Sequence, residues 1–157
     1  FMIPALNIKH QRVSGNLFNA LTNFLKVRKS GEAFAAPGDV VLSDEDIVEP
    51  DLLFISAARA AIITEKNIQG PPDLVVEILS ASTRKIDEVV KRKLYERYGV
   101  RGYWIVAPEL EGIKIYRLTD QGYIRAQSWR EKQPTPCPPR SCLAFRRRSP
   151  RSSSSSR

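Results

Sequence analysis

Three residues have the types and spacing that metal-assisted phosphoryl chemistry uses. They are Asp51 in Glu49-Pro50-Asp51-Leu52-Leu53-Phe54-Ile55, Glu77 in Leu74-Val75-Val76-Glu77-Ile78-Leu79, and Lys91 further on. Each acid sits in a run that reads as a buried strand. A carboxylate facing an apolar interior is costly unless something pairs with it. On neighbouring strands, two such groups would stand ~5 Å apart. Like charges that close raise one pKa unless a cation lies between them. Mg²⁺ meets that need with few protein oxygens and several waters. A nearby lysine adds positive charge where a phosphoryl group would react.

Lys91 reaches such a site only if its helix folds back on the strand. Glu77 lies ~10 Å before the strand's end. Lys91 lies ~12 Å along a helix starting near Thr83. An antiparallel return therefore brings the two level. Asp87, Lys91 and Tyr95 form a polar stripe at i, i+4 and i+8, beside an apolar stripe of Ile86, Val90 and Leu94. Plainer roles exist for each residue. Asp51 after Pro50 can cap a turn, Glu77 can sit at a solvated edge, and Asp87–Lys91 can be an ordinary surface pair. Asp73 repeats the Pro-Asp dipeptide but lies ~13 Å from Glu77 along one strand, too far to share a metal. Lys85 and Lys93 point to other helix faces. His10, the single histidine, is expected to hold a cap or surface role before the first helix.

The elements that must position these residues follow from periodicity. Residues 11–29 read as a helix with Val13, Leu17, Leu21, Phe24 and Arg28 on one stripe, widened by Leu25 and closed by Gly31. Residues 33–36 and 40–42 resemble a short strand pair broken by Pro37-Gly38. Residues 51–56 read as a strand and 57–61 as a helical turn. The run 74–79 is apolar on both faces apart from Glu77, as in a central strand. Ser80-Ala81-Ser82-Thr83 caps a helix over 84–98, closed by Gly99. Residues 103–107 form a strand with Trp104 in the core, and 113–118 with 123–128 a hairpin. The pattern predicts an α/β layer with a mixed sheet.

At 157 residues and 42% hydrophobic content, one domain with a real core is expected. The net charge of +8 is uneven. Residues 130–157 carry eight basic and one acidic side chain, whereas residues 1–129 carry seventeen and sixteen. The near-neutral part, residues 1–129, is expected to be the folded domain. Residues 130–157 form a basic Pro/Arg/Ser-rich tail whose composition predicts disorder. Cys137 and Cys142 both lie in the tail, and two cysteines in a chain of this size make no disulfide scaffold. No stretch is long and apolar enough for a membrane span, and a cytoplasmic location is the expectation. The opening Phe1-Met2 reads as missing upstream sequence. No Gly-rich phosphate loop, Cys/His zinc spacing or Ser-His-Asp set is present.

Pro50-Asp51-Leu52-Leu53, the block Pro72 to Ser80, Ser82-Thr83-Arg84, Asp87, Lys91, Tyr95, Gly99-Val100 and Tyr103-Trp104-Ile105-Val106 together resemble the Uma-type restriction endonucleases. That family belongs to the PD-(D/E)XK nuclease superfamily. The likeness spans roughly residues 4–129 and is most specific from Asp73 to Trp104, where residue types and order both match. It implies a restriction-endonuclease-like mixed sheet flanked by helices and hydrolysis of DNA phosphodiesters with Mg²⁺ or Mn²⁺. Asp51, Glu77 and the carbonyl of Ile78 would hold the metal, with Lys91 assisting. The superfamily's usual lysine position, two residues after the second acid, is Leu79 here. Asp87 and Tyr95 would orient the lysine or contact substrate, and Pro4 and His10 match the way the family opens its first helix. A homodimer is expected by analogy. Two other readings stay open: a catalytically inactive nucleic-acid-binding or interaction module on the same fold, and a hydrolase of another phosphodiester.

Overall fold

The computed structural model describes residues 8–80 and 86–130. Pro4, Thr83, Lys85 and the expected tail beyond residue 130 lie outside them. The order opens with helix α1 (Ile8–Arg28), strand β1 (Gly31–Ala35), and the short strands β2 (Val40–Val41) and β3 (Ile47–Val48). Strand β4 (Leu52–Ser56), a 3₁₀ turn (Ala57–Ile62), β5 (Ile68–Gln69) and β6 (Leu74–Ile78) follow. A π-helical turn (Ile86–Lys91) runs directly into α2 (Arg92–Arg97). The described chain ends with β7 (Gly102–Ala107), a 3₁₀ turn (Pro108–Leu110) and the hairpin β8 (Gly112–Thr119) and β9 (Gly122–Arg130).

Six strands form one sheet in the order β1-β4-β6-β7-β8-β9. β6 and β7 run parallel, and the other neighbours are antiparallel. β6 is thus central, as its apolar composition predicts, and a helical crossover leads to its parallel partner. Alternation along the strands separates two packed faces. On one, Leu52, Val76, Ile78 and Val106 meet Val13, Leu17 and Phe18 of α1. On the other, Leu53, Ile55, Val75, Tyr103 and Ile105 pack with Tyr95 of α2 and with Val40 and Ile68. The sheet is therefore mixed and covered by helices on both faces. Among the described residues no helix is long and apolar enough to cross a membrane.

Three local expectations are corrected. Residues 33–36 and 40–42 do not pair. β1 joins β4 at the edge of the large sheet, while β2 lies between β3 and β5 in a separate three-stranded sheet. Two-residue strands carry too little pattern to reveal such partners. Phe24 is half-exposed rather than part of the buried stripe, with the Arg28 guanidinium 4.6 Å above its ring. The helix after β6 turns the opposite way from the one its hydrophobicity indicates. Ile86, Val89 and Val90 face solvent, while Asp87 and Tyr95 are buried. A π turn bonds i to i+5 and so rotates the following side chains relative to an α-helical register.

Candidate active site

Asp51 and Glu77 are brought to one end of the sheet by the β4–β6 ladder. Leu52 pairs with Val76, so the next step of the same register sets Asp51 opposite Glu77. β4 begins one residue later, at Leu52, so Asp51 sits at the bend where the strand starts. Its Oδ2 accepts a 2.7 Å hydrogen bond from the Ile78 amide. In an extended strand the amide and carbonyl of one residue project to the same edge. The Ile78 carbonyl therefore also faces the space beyond Asp51.

Glu77 is only 3% exposed, and its two oxygens have different partners. Oε1 accepts a 2.8 Å hydrogen bond from the Tyr95 hydroxyl. Oε2 lies 3.0 Å from Nζ of Lys91. The same ammonium lies 3.1 Å from Oδ1 of buried Asp87. The helix thus folds back level with Glu77, and Lys91 is shared by two carboxylates. The π turn that presents Asp87 is held from behind: the Tyr103 hydroxyl donates 2.8 Å to the Asp87 carbonyl.

Burial pushes the Glu77 carboxyl up to about 7. Lys91 and Tyr95 pull it down, and the charge of nearby Asp51 pushes it up further. Burial works to lower the Lys91 ammonium, but Glu77 and then Asp87 hold it above its ordinary value. Burial next to Glu77 also raises the Tyr95 phenol, so it acts as a hydrogen-bond donor and not as a base. Two adjacent carboxylates, one of them reluctant to ionise, make a site that a divalent cation would relieve. Among the described residues no three His, Cys, Asp or Glu side chains converge as a metal cluster. Two carboxylates plus one strand carbonyl form an oxygen donor set suited to an ion that keeps several waters, which fits Mg²⁺ or Mn²⁺.

Among the other expected residues, Asp73 lies at the opposite end of β6. Its Oδ2 accepts from the Ser56 amide at 2.8 Å, and Arg59 binds its Oδ1 at 3.3 Å. Burial works to raise its carboxyl, but these partners hold it below the usual carboxylate value. Leu79, two residues after Glu77, is buried in the main core. Lys93 is exposed. His10 corrects an expectation: it is buried in the first turn of α1, with Nε2 3.3 Å from Oδ1 of Asp51. The available signal was its phase, since His10, Val13 and Leu17 recur on the helix's inward stripe. Tyr103 was readable only as core, because its hydroxyl acts on a carbonyl far along the chain.

Six solved protein chains match this fold. One is a putative nuclease belonging to DUF820 from Anabaena variabilis, with a TM-score of 0.66 and 17% identity, covering 83% of this chain and 72% of its own. Another is the type IIG restriction endonuclease BpuSI, with a TM-score of 0.44 and 16% identity over 75% of this chain and 13% of its own. No curated protein matches the sequence. The likeness to the Anabaena protein, at this identity, establishes the restriction-endonuclease-like fold. The family profile of Uma2, described as putative restriction endonuclease, matches residues 1–144, running past residue 129 into the basic segment. The chain belongs to the Uma2 family of putative restriction endonucleases.

Proposed function

We propose that the protein is a Mg²⁺-dependent endonuclease that hydrolyses DNA phosphodiester bonds, acting in the cytoplasm. The observation that carries this reading is the convergence on Glu77. A lysine from a helix lies 3.0 Å from a buried strand carboxylate, beside a second acid whose position is tied to Ile78. In this reading Asp51, Glu77 and the Ile78 carbonyl hold Mg²⁺ or Mn²⁺. Such an ion, when bound, supplies an acidified water and polarises a phosphate oxygen. Lys91 places its ammonium where negative charge develops on the reacting phosphoryl group, or helps remove the water's proton. Asp87 and Tyr95 are positioning residues. Asp87 gives the ammonium a second carboxylate partner, and Tyr95 fixes the second oxygen of Glu77. A homodimer would let two such sites cut both strands.

The test is plasmid nicking by the full chain with and without Mg²⁺, using Glu77→Ala and Lys91→Ala, with circular dichroism to verify folding. Both variants should lose metal-dependent nicking. Undiminished cleavage by folded Glu77→Ala would remove the assignment. DNA retardation in EDTA with no nicking under any metal would instead identify an inactive binding module.

A further inference from the structure

We infer that His10 is a positioning residue for the metal site, holding Asp51 in the orientation that presents its free lone pairs to a cation. The inference rests on the metal reading above and extends it to a residue outside the acid–acid–lysine set. Asp51 precedes β4, so the strand's pleat does not lock its side chain. Its orientation depends on what binds its two oxygens. The Ile78 amide occupies Oδ2 at 2.7 Å. The imidazole Nε2 lies 3.3 Å from Oδ1.

Each carboxylate oxygen has two lone pairs. With the Ile78 amide bonded to Oδ2 and the imidazole beside Oδ1, rotation of Asp51 about its last bond gives up both contacts, while the carboxylate keeps capacity for a cation. His10 is itself held by its surroundings: it is buried where α1 packs over the sheet. Its other ring nitrogen, Nδ1, is buried with no hydrogen-bond partner among the described residues. An apolar side chain at this position would avoid that cost. A histidine whose polar partner is the Asp51 carboxylate explains why the position is not apolar. Residues that orient a ligand in this way typically alter metal affinity by 10–100-fold when removed.

Mn²⁺ binding to the full chain, measured by electron paramagnetic resonance, reads the effect directly. His10→Ala should weaken Mn²⁺ binding at least ten-fold. His10→Gln, whose amide nitrogen can stand near the Nε2 position, should recover most of the loss. In nicking assays the same variants should raise the Mn²⁺ concentration for half-maximal rate more than they lower the maximal rate. Thermal melts in EDTA supply the control for stability. Unchanged Mn²⁺ affinity in folded His10→Ala overturns the inference while leaving the metal reading intact. Equal loss in the alanine and glutamine variants, tracking a lowered Tm, also overturns it, because that is the signature of packing alone. Absence of Mn²⁺ binding by the wild-type chain overturns the metal reading itself and this inference with it.

Discussion

The buried carboxylate at Glu77 should make the stability of the protein, with divalent ions chelated, fall as pH rises. Its pKa is raised from 4.5 in the free residue to about 7 in the fold. Below pH 4.5 both folded and unfolded chains carry the proton, and Glu77 imposes no charge-burial cost. Between 4.5 and 7 the unfolded chain releases the proton while the folded one keeps it, so stability declines. Above 7 both states are ionised and the loss is complete. The gap corresponds to roughly 3 kcal/mol, or about 10 °C in Tm for a domain of this size. Other shifted groups leave the window from pH 5 to 8 clear. The lowered carboxyl of Asp73 matters as pH falls below 3.8, and the raised ammonium of Lys91 matters above 10.5.

Thermal melts in EDTA from pH 5 to 8 should therefore show Tm falling, and Glu77→Gln should remove most of that slope. In the proposed site Mg²⁺ would select the ionised carboxylates, so saturating metal should raise Tm more at pH 8 than at pH 5. At 100 times its Kd the gain is about 2.7 kcal/mol. A Tm that is flat or rising with pH in EDTA, or a slope that persists in Glu77→Gln, would refute the electrostatic account of the site.

Tyr95→Phe removes the hydroxyl that binds Oε1 of Glu77. It should cost about 1–3 kcal/mol in urea unfolding and slow nicking without abolishing it. Wild-type rates and stability in this variant would show that the hydroxyl contributes nothing. Asp73→Asn weakens the bonds to Ser56 and Arg59 at the far end of β6. It should lower the free energy of unfolding by roughly 1–2 kcal/mol yet leave the nicking rate of the folded fraction unchanged. A metal-specific loss of cleavage would place Asp73 in the site.

Local chemistry made the main elements legible in the sequence. A run apolar on both faces identified β6 as central, and an acid inside that run singled out Glu77. The spacing from Glu77 through the crossover predicted that Lys91 would return level with it, and the two atoms lie 3.0 Å apart. Given a helix that folds back on its strand, the reach follows from the rise per residue of each element.

The remaining features depended on contacts between distant segments. Hydrophobic patterning turned Ile86 and Val90 inward, whereas packing turned Asp87 and Tyr95 inward. A π turn supplies the rotation that brings Asp87 and Tyr95 to the Glu77 side. His10 looked peripheral because its partner, Asp51, is far along the chain and meets it only when α1 packs on the sheet. The division of 33–36 from 40–42 into separate sheets likewise follows from partners elsewhere in the chain. Sequence by itself determined that Glu77 carries charge into the interior, because an acid inside a run apolar on both faces is a matter of pattern along the strand. Only the tertiary structure decided which groups neutralise that charge, because such pairing is set by distances between segments that the linear pattern does not contain.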